Sequence, residues 1–352
     1  MRVTRVREVA SGSVEWTVLT VSWAALVGLV LLFGGLRLAG LTPSLETQAA
    51  VYLVGMVALN LPHGGYEHFA NLRRRVARFR CGYVGAYLLM ASAFVGLFLL
   101  APVAGLALAI TVAVLKGGGG DLNVLRATTG TSHLRSRAQR LLAVAARGGA
   151  VMAVPIVAFP GTFHTFSALM VSMVDPGGLA PLARRFELTR LLIGGGYGAV
   201  VLAHLGWGFR RRASDGAWLA DAAETLLLVG YFAVVPVVVA VGLYFPLWYS
   251  LRQVAREFAV EPPAFEGRDL LGGTDAAPGT VALRAWGVLV AGALATAAVA
   301  VGFWLAVPNP LPSSSLRFGL VAFWSVFIGV IALPHVVVGS VLDRGRGIWY
   351  VP

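Results

Sequence analysis

The stretch GYVGAYLLMASAFVGLFLL, residues 82–100, contains no charged side chain. A helix of about 20 apolar residues, rising about 1.5 Å per residue, is long enough to cross the hydrocarbon core of a bilayer. Similar runs recur on both sides of this stretch, too many for a signal peptide or a single anchor. The predicted spans are 17–39, 47–63, 82–100, 102–116, 140–160, 188–209, 217–248, 282–306 and 316–341. The sequence therefore predicts an all-α, polytopic bundle of about eight to ten transmembrane helices.

Two stretches depart from this simple pattern. Residues 159–174 are apolar but short and contain Pro160 and Gly161, which predicts a re-entrant or interfacial piece. The run 217–249 is longer than one span needs and contains two prolines, which predicts a kink or a continuation beyond the bilayer.

The overall composition also indicates a membrane protein. Of the 352 residues, 58% are apolar and 12% are charged, whereas a soluble domain has roughly 45–50% apolar and about 25% charged residues. A single cysteine excludes an intramolecular disulfide and a thiolate metal site of the zinc-ribbon kind. We expect one membrane domain over residues 1–352, with an N-terminal segment at 1–16 and a polar loop at 252–280.

The basic residues indicate orientation in the lipid bilayer. The net charge of +12 comes from 28 basic and 16 acidic residues, and the arginines cluster where apolar runs end, at 73–80, 135–140, 210–212 and 344–346. This pattern is typical of cytoplasmic loops under the positive-inside rule. It predicts a multi-pass protein of the cell membrane with a cytoplasmic N-terminus and a cytoplasmic loop at 117–140. A nucleic-acid partner is not expected, because no solvated basic domain exists.

Polar groups at membrane depth are costly unless they are paired or used, so they are the candidate functional residues. They are His63, Glu67, His68, Lys116, His164, His204, Asp221, Glu224 and His335. His133 lies among polar loop residues and is predicted to be solvated. In LPHGGYEH, residues 61–68, His63 and Glu67 would share a helical face. This pattern fits a metal such as iron, held by imidazole and oriented by a carboxylate, or equally a hydrated helix end.

Three segments resemble motifs of one family. LPHGGYEH at 61–68 resembles Pro-His-Gly-x-x-Asp-His, YFPLWYSLRQ at 244–253 is similar in frame to Trp-His-Ser-x-Arg-His, and LPHVVVGSVLDR at 333–344 resembles a closing motif. The family is the bacterioopsin-related, Brp/Blh type of membrane β-carotene 15,15′-dioxygenase. The resemblance implies an Fe(II)-dependent oxidoreductase that cleaves β-carotene with O₂ into two retinals. It also implies a pocket between helices for an apolar polyene, either carotenoid or retinal.

The family holds its iron with four histidines, and this sequence departs from that pattern. His63 keeps the first position, Lys116 of KGGGGD (116–121) takes the second, and Tyr249 and Gln253 take the last two. The resemblance implies His63 as a metal ligand, Tyr249 as a replacement ligand and Gln253 as a weak neutral donor. It further implies four residues that orient the metal ligands or close the pocket, namely Glu67, His68, Asp121 and His335.

Lys116 is the only lysine among the 28 basic residues. A protonated lysine and Fe²⁺ repel each other strongly in a buried site, so a site altered in this way should bind iron weakly. One interpretation is a side chain that extends to the interface from the end of a span. The other is a desolvated amine able to form a Schiff base with an aldehyde such as retinal.

Three functions follow from these alternatives. The first is the dioxygenase reaction, with a weakened or lost iron site. The second is a catalytically silent paralogue that binds or carries carotenoid or retinal. The third is a transporter with Asp221 and Glu224 as proton sites, which is disfavoured because both residues fall near the start of a predicted span.

Overall fold

A succession of helices joined by short turns makes up the chain in the computed structural model. The structure describes residues 13–60, 72, 76–183, 185–213, 216–259, 269–271 and 277–342. Its elements are α1 (Val14–Leu38), α2 (Leu45–Leu53), π1 (Val54–Asn60), α3 (Ala77–Leu100), α4 (Pro102–Thr128), α5 (Arg137–Ala158), α6 (Pro160–Ser172), α7 (Ala180–Ala183), α8 (Phe186–Arg210), α9 (Ala217–Val234), α10 (Val237–Tyr244), π2 (Phe245–Ser250), α11 (Leu251–Ala259), α12 (Pro278–Ala306) and α13 (Leu316–Leu342). No strand occurs within these ranges.

The predicted fold class is confirmed. Within the described ranges, nine helices are long and apolar enough to cross a membrane, which makes this a multi-pass membrane protein. Their lipid-facing character is visible in α1, α8 and α12, whose apolar side chains are mostly exposed. Residues 159–174, the expected re-entrant or interfacial piece, contain the 13-residue helix α6, which is shorter than the roughly 20 residues that a crossing needs.

The long apolar run at 217–248 folds back on itself instead of forming one kinked helix. Val235 has an extended backbone and Pro236 precedes the next helix, so α9 ends and α10 begins there. Tyr231 donates a hydrogen bond to the Ala240 carbonyl at 3.0 Å, and Glu224 accepts one from Arg252 at 2.8 Å. These pairings make α9 antiparallel to the continuous segment formed by α10, π2 and α11.

The predicted loop at 117–140 is wrong over its first half. Helix α4 continues through the four glycines to Thr128, because they allow a close approach to α5. A Cβ on Gly118 would overlap the Val144 carbonyl oxygen, and one on Gly148 would overlap the Val114 carbonyl oxygen. The chain reverses after Gly130, at a φ of 89°, and the Ser136–Gln139 capping box starts α5.

The polar loop predicted at 252–280 likewise begins later. Residues Leu251–Ala259 form α11, in which Arg252, Gln253 and Arg256 are buried. Helix formation here reflects burial against α1 and α4, which the polar composition of this segment does not reveal. Residues 260–268 and 272–276 lie outside the described residues.

Two π-helical segments lie against each other in the bundle. Gly55 of π1 approaches Gly242 so closely that a Cβ on Gly55 would overlap the carbonyl oxygen of Gly242. Ser250 of π2 donates a hydrogen bond to the Asn60 side-chain oxygen at 3.1 Å. Single π-helical turns of this kind are frequent at functional sites, because they re-aim side chains without ending the helix.

Candidate functional site

The structure brings together Lys116, Tyr249 and Gln253, the three residues that the resemblance implies at ligand positions of the family. Lys116 and Gly120 are four residues apart on α4 and share a face, as do Tyr249 and Gln253 on the opposing segment. The Lys116 Nζ lies 5.4 Å from the centroid of the Tyr249 ring. A Cβ on Gly120 would lie 2.6 Å from Tyr249 Cε2 and 2.9 Å from Gln253 Nε2. Gly120 therefore provides the space in which these side chains meet.

Lys116 does not end a helix, contrary to the interfacial interpretation. It lies fourteen residues after Pro102 and twelve before Thr128, in the middle of α4. At about 1.5 Å per residue these separations correspond to roughly 21 Å and 18 Å. A four-carbon side chain cannot span either length.

A mostly apolar cavity opens beside Lys116. About 1050 Å³ of space, counting the open mouth, lies between its walls. The residues that line it come from α2, π1, α4, α5, α6, α10, π2 and α13, and include Asn60, Lys116, Phe166, Phe245 and Ala332. Lys116 and Phe245 belong to the segments at 116–121 and 244–253, and Asn60 and Ala332 directly precede the segments at 61–68 and 333–344 in sequence.

Asp121 faces a different set of partners from Lys116. Its Oδ1 accepts hydrogen bonds from Trp248 Nε1 at 3.2 Å and from Arg252 Nε at 3.0 Å. Its Oδ2 accepts from Arg147 Nε at 2.7 Å. Asp121 thereby ties α4 to α5 and to the segment that carries Tyr249 and Gln253.

These contacts belong to a buried ion cluster that the sequence did not reveal. Arg147 binds Asp121, Asp221 at 2.6 Å and Glu224, while Arg252 bridges Asp121 and Glu224. All five side chains are at most 5% exposed. Buried charges are tolerated when each is paired and hydrogen-bonded. Asp221 and Glu224 are therefore buried within the bundle, where each is paired with an arginine.

Two histidines extend the cluster at Asp221. His133 Nε2 lies 2.8 Å and His204 Nε2 lies 3.2 Å from Asp221 Oδ2. The prediction that His133 is solvated is wrong, because the turn between α4 and α5 folds its ring inward and Gln139 binds its carbonyl oxygen at 3.0 Å. His204 faces this carboxylate, whereas a backbone carbonyl is the more usual partner of a lone helical histidine. Nothing in the local sequence pairs 133 or 204 with residue 221.

Three of the remaining candidate residues lie outside the described residues, and two lie on helices of the bundle. His63, Glu67 and His68 lie outside the described residues. His335 lies on α13, three residues after Ala332 of the cavity wall. His164 on α6 packs its ring edge-on against Phe186, with 5.4 Å between centroids.

The described side chains at this site do not fit an iron ion. Lys116 is cationic when protonated, and Gln253 offers one neutral amide oxygen, which lies 3.4 Å from Arg256 Nη1. Gln253 Nε2 is buried without a hydrogen-bond partner in the part of the chain that the structure describes. Within that part, no three His, Cys, Asp or Glu side chains are placed to hold a metal. Lys116, Tyr249 and Gln253 thus do not replace the three missing histidines as a donor set.

The fold and the cavity define an integral membrane protein with a mostly apolar cavity between its helices. The chain belongs to the beta-carotene 15,15′-dioxygenase family, whose model matches residues 54–343. Family membership, expected from the three sequence motifs, is thereby confirmed.

Curated relatives cover nearly the whole chain. It is 55% identical to the probable beta-carotene 15,15′-dioxygenase Brp of two Halobacterium salinarum strains, over 95% of this chain and 94% of the relative. It is 33% identical to the probable beta-carotene 15,15′-dioxygenase Blh of Halobacterium salinarum, over 88% and 89% respectively. No solved structure gives a significant match.

Proposed function

We propose that the protein takes β-carotene from the bilayer into the cavity beside Lys116 and cleaves its central double bond with O₂. The 15,15′ carbon–carbon double bond breaks and each carbon receives one oxygen atom, which yields two retinals. The observation that supports this proposal is an apolar cavity lined by residues that lie in, or directly precede in sequence, the segments that resemble the family motifs. Asn60, Lys116, Phe245 and Ala332 all line this cavity, and the relatives are named for this reaction.

The lining of the cavity suits a hydrocarbon polyene. Side chains such as Ile110, Phe163, Met170 and Ile328 contribute most of its wall. Because a polyene would enter from lipid and not from water, van der Waals contact with these side chains, and not the hydrophobic effect, would hold it in the cavity. A carotenoid or retinal dissolved in the bilayer is the chemical class that fits this site.

Membership of this family implies a metal cofactor. If it is Fe(II), the retained histidine of the family pattern, His63, would be its ligand, with Glu67 and His68 nearby in sequence. Lys116, Tyr249 and Gln253 do not support a four-histidine site, so we expect iron binding to be weak.

A second function is favoured by the same three substitutions. A paralogue that binds or carries carotenoid or retinal without cleaving it needs the cavity but no four-histidine site. Lys116 beside the Tyr249 ring is the observation that favours this alternative. Formation of retinal by the protein separates the two functions.

A variant in which a large side chain blocks the cavity tests both functions together. Ala113→Phe places a large side chain in the cavity wall, whereas Ala107→Phe places it on the exposed, opposite side of α4. In β-carotene-accumulating cells, we expect Ala113→Phe to abolish carotenoid binding and retinal formation, and Ala107→Phe to leave both unchanged. Equal carotenoid binding by both variants would contradict the proposed site.

We also propose that the protein lies in the cell membrane with its N-terminus in the cytoplasm. The arginines at 73–80 support this orientation. Cys81, the only cysteine, follows them and is exposed. A membrane-impermeant maleimide should label it in inverted vesicles and not in intact cells, with Cys81→Ser as the control. Labelling in intact cells alone would reverse the orientation.

A further inference from the structure

We propose that Lys116 forms a reversible imine with an apolar aldehyde held in the cavity. The inference rests on the proposed function, since retinal is both the aldehyde that the cleavage would release and a polyene of the size class that the cavity suits. Lys116, whose side chain does not fit the family's metal chemistry, would thus bind the product of the reaction covalently.

The position of Lys116 is the first support. The residue lies at the middle of a membrane-spanning helix and lines the cavity. An ionisable residue at this depth is costly to place and therefore indicates function. Its distance from both ends of α4 is greater than the length of a lysine side chain.

The type of residue is the second support. Arginine supplies 27 of the 28 basic residues, and the single lysine occupies the cavity wall. A guanidinium forms strong hydrogen bonds but does not condense with aldehydes, whereas a lysine amine does. A site that required positive charge alone could carry arginine, as the neighbouring positions Arg147 and Arg252 do.

The surroundings of the nitrogen are the third support. The Tyr249 ring lies 5.4 Å from Lys116 Nζ, within the range of a cation–π interaction. A protonated imine keeps a positive nitrogen at this place, so the ring can stabilise the adduct as it stabilises the ammonium. The polyene chain of the aldehyde would extend from the nitrogen along the apolar wall formed by Ile110 and Phe163.

The reaction balances without an added oxidant or reductant. The neutral amine nitrogen of Lys116 attacks the aldehyde carbon, and a carbon–nitrogen double bond replaces the carbon–oxygen double bond. The carbonyl oxygen leaves as water together with the two amine hydrogens. The proton that the Lys116 ammonium loses to become the neutral amine returns to the imine nitrogen, which gives the protonated imine. Hydrolysis reverses these steps and returns the free aldehyde.

Reductive trapping in the purified full-length protein tests the proposal. All-trans retinal is added to the protein in detergent, absorbance is recorded, and borohydride then converts any imine to a stable secondary amine. We expect a red-shifted absorbance before reduction, and afterwards a peptide containing Lys116 that has gained the mass of retinal less one oxygen atom. Lys116→Arg keeps the charge and should lower the adduct at least about tenfold, and Lys116→Met should do the same.

Retinal binding itself is measured separately, by quenching of tryptophan fluorescence. Retinal bound with equal affinity by the wild type and Lys116→Arg, with label confined to the Met1 amine, would overturn the imine and leave the proposed function standing. Failure of both proteins to bind retinal or β-carotene, without retinal formation in cells, would overturn the proposed function and the imine with it. The wild-type peptide map does not depend on whether either variant folds.

Discussion

Arg252 Nε donates a hydrogen bond to Asp121 Oδ1 at 3.0 Å, across the interface between α11 and α4. Arg252 directly precedes Gln253 and lies three residues after Tyr249, while Asp121 directly follows Gly120. The ion pair therefore lies immediately behind the point where Lys116, Tyr249 and Gln253 meet. It sets the register between the two segments that form this wall of the site.

Loss of the Asp121 charge should destabilise the bundle. Asp121→Asn leaves Arg147 and Arg252 with fewer carboxylate partners in a buried cluster, and breaking a buried pair costs about 3–5 kcal/mol. We expect a clear fall in the unfolding temperature in detergent. Glu187→Gln removes an exposed partner of Arg190 and should cost less than about 1 kcal/mol. Equal unfolding temperatures for the two variants would show that the cluster does not support the fold.

Replacement of a glycine by alanine should destabilise the protein at Gly118 but not at the adjacent Gly119. Gly118→Ala drives a methyl group into the backbone of α5, where Val144 offers no flexible atom to move, so the helices must separate. Gly119→Ala meets nothing within 4 Å and should be neutral or stabilising by up to about 1 kcal/mol, because alanine favours the helix. Thermal unfolding of both variants gives the comparison. A Gly118→Ala variant as stable as Gly119→Ala would contradict the close approach of α4 to α5.

Retinal production should be low for a member of this family. Because three of its four ligand positions carry Lys116, Tyr249 and Gln253, we expect much less retinal in β-carotene-accumulating cells than a relative with four histidines forms at equal expression. Chromatography of extracted β-carotene and retinal provides the measurement, with an empty vector as the baseline. Loss of the orange colour with a matching amount of retinal would overturn this expectation.

Restoring the family's histidines should raise iron binding. Lys116→His, Tyr249→His and Gln253→His introduce neutral imidazoles at three positions that already face one another. We expect the triple variant to retain more iron than the wild type after anaerobic loading and desalting, as measured by elemental analysis. Leu115→His, on the exposed side of α4, controls for adventitious binding. An unchanged iron content would mean that these positions are not a ligand cage.

Hydropathy alone determined the class of this protein and most of its spans. Runs such as 82–100 form helices in a bilayer because every backbone polar group must be satisfied internally, and this requirement acts locally along the chain. The motifs likewise identified Lys116, Tyr249 and Gln253 as one site, and the structure places Lys116 beside the Tyr249 ring.

Only the tertiary structure decided where α4 ends, how 217–256 folds back, and which charges are buried. The glycines at 117–120 resemble a helix end in sequence, but the backbone of α5 packs against Gly118, and the side chains of Tyr249 and Gln253 pack against Gly120. His133, Asp221 and Glu224 resemble polar loop or interface residues, but Arg147 pairs with Asp221 and Arg252 with Glu224, while His133 itself contacts Asp221. Such pairings join residues that are 26 to 131 positions apart in sequence. A buried charge is tolerated because its partner stabilises it, and local composition does not reveal which distant residue that partner is.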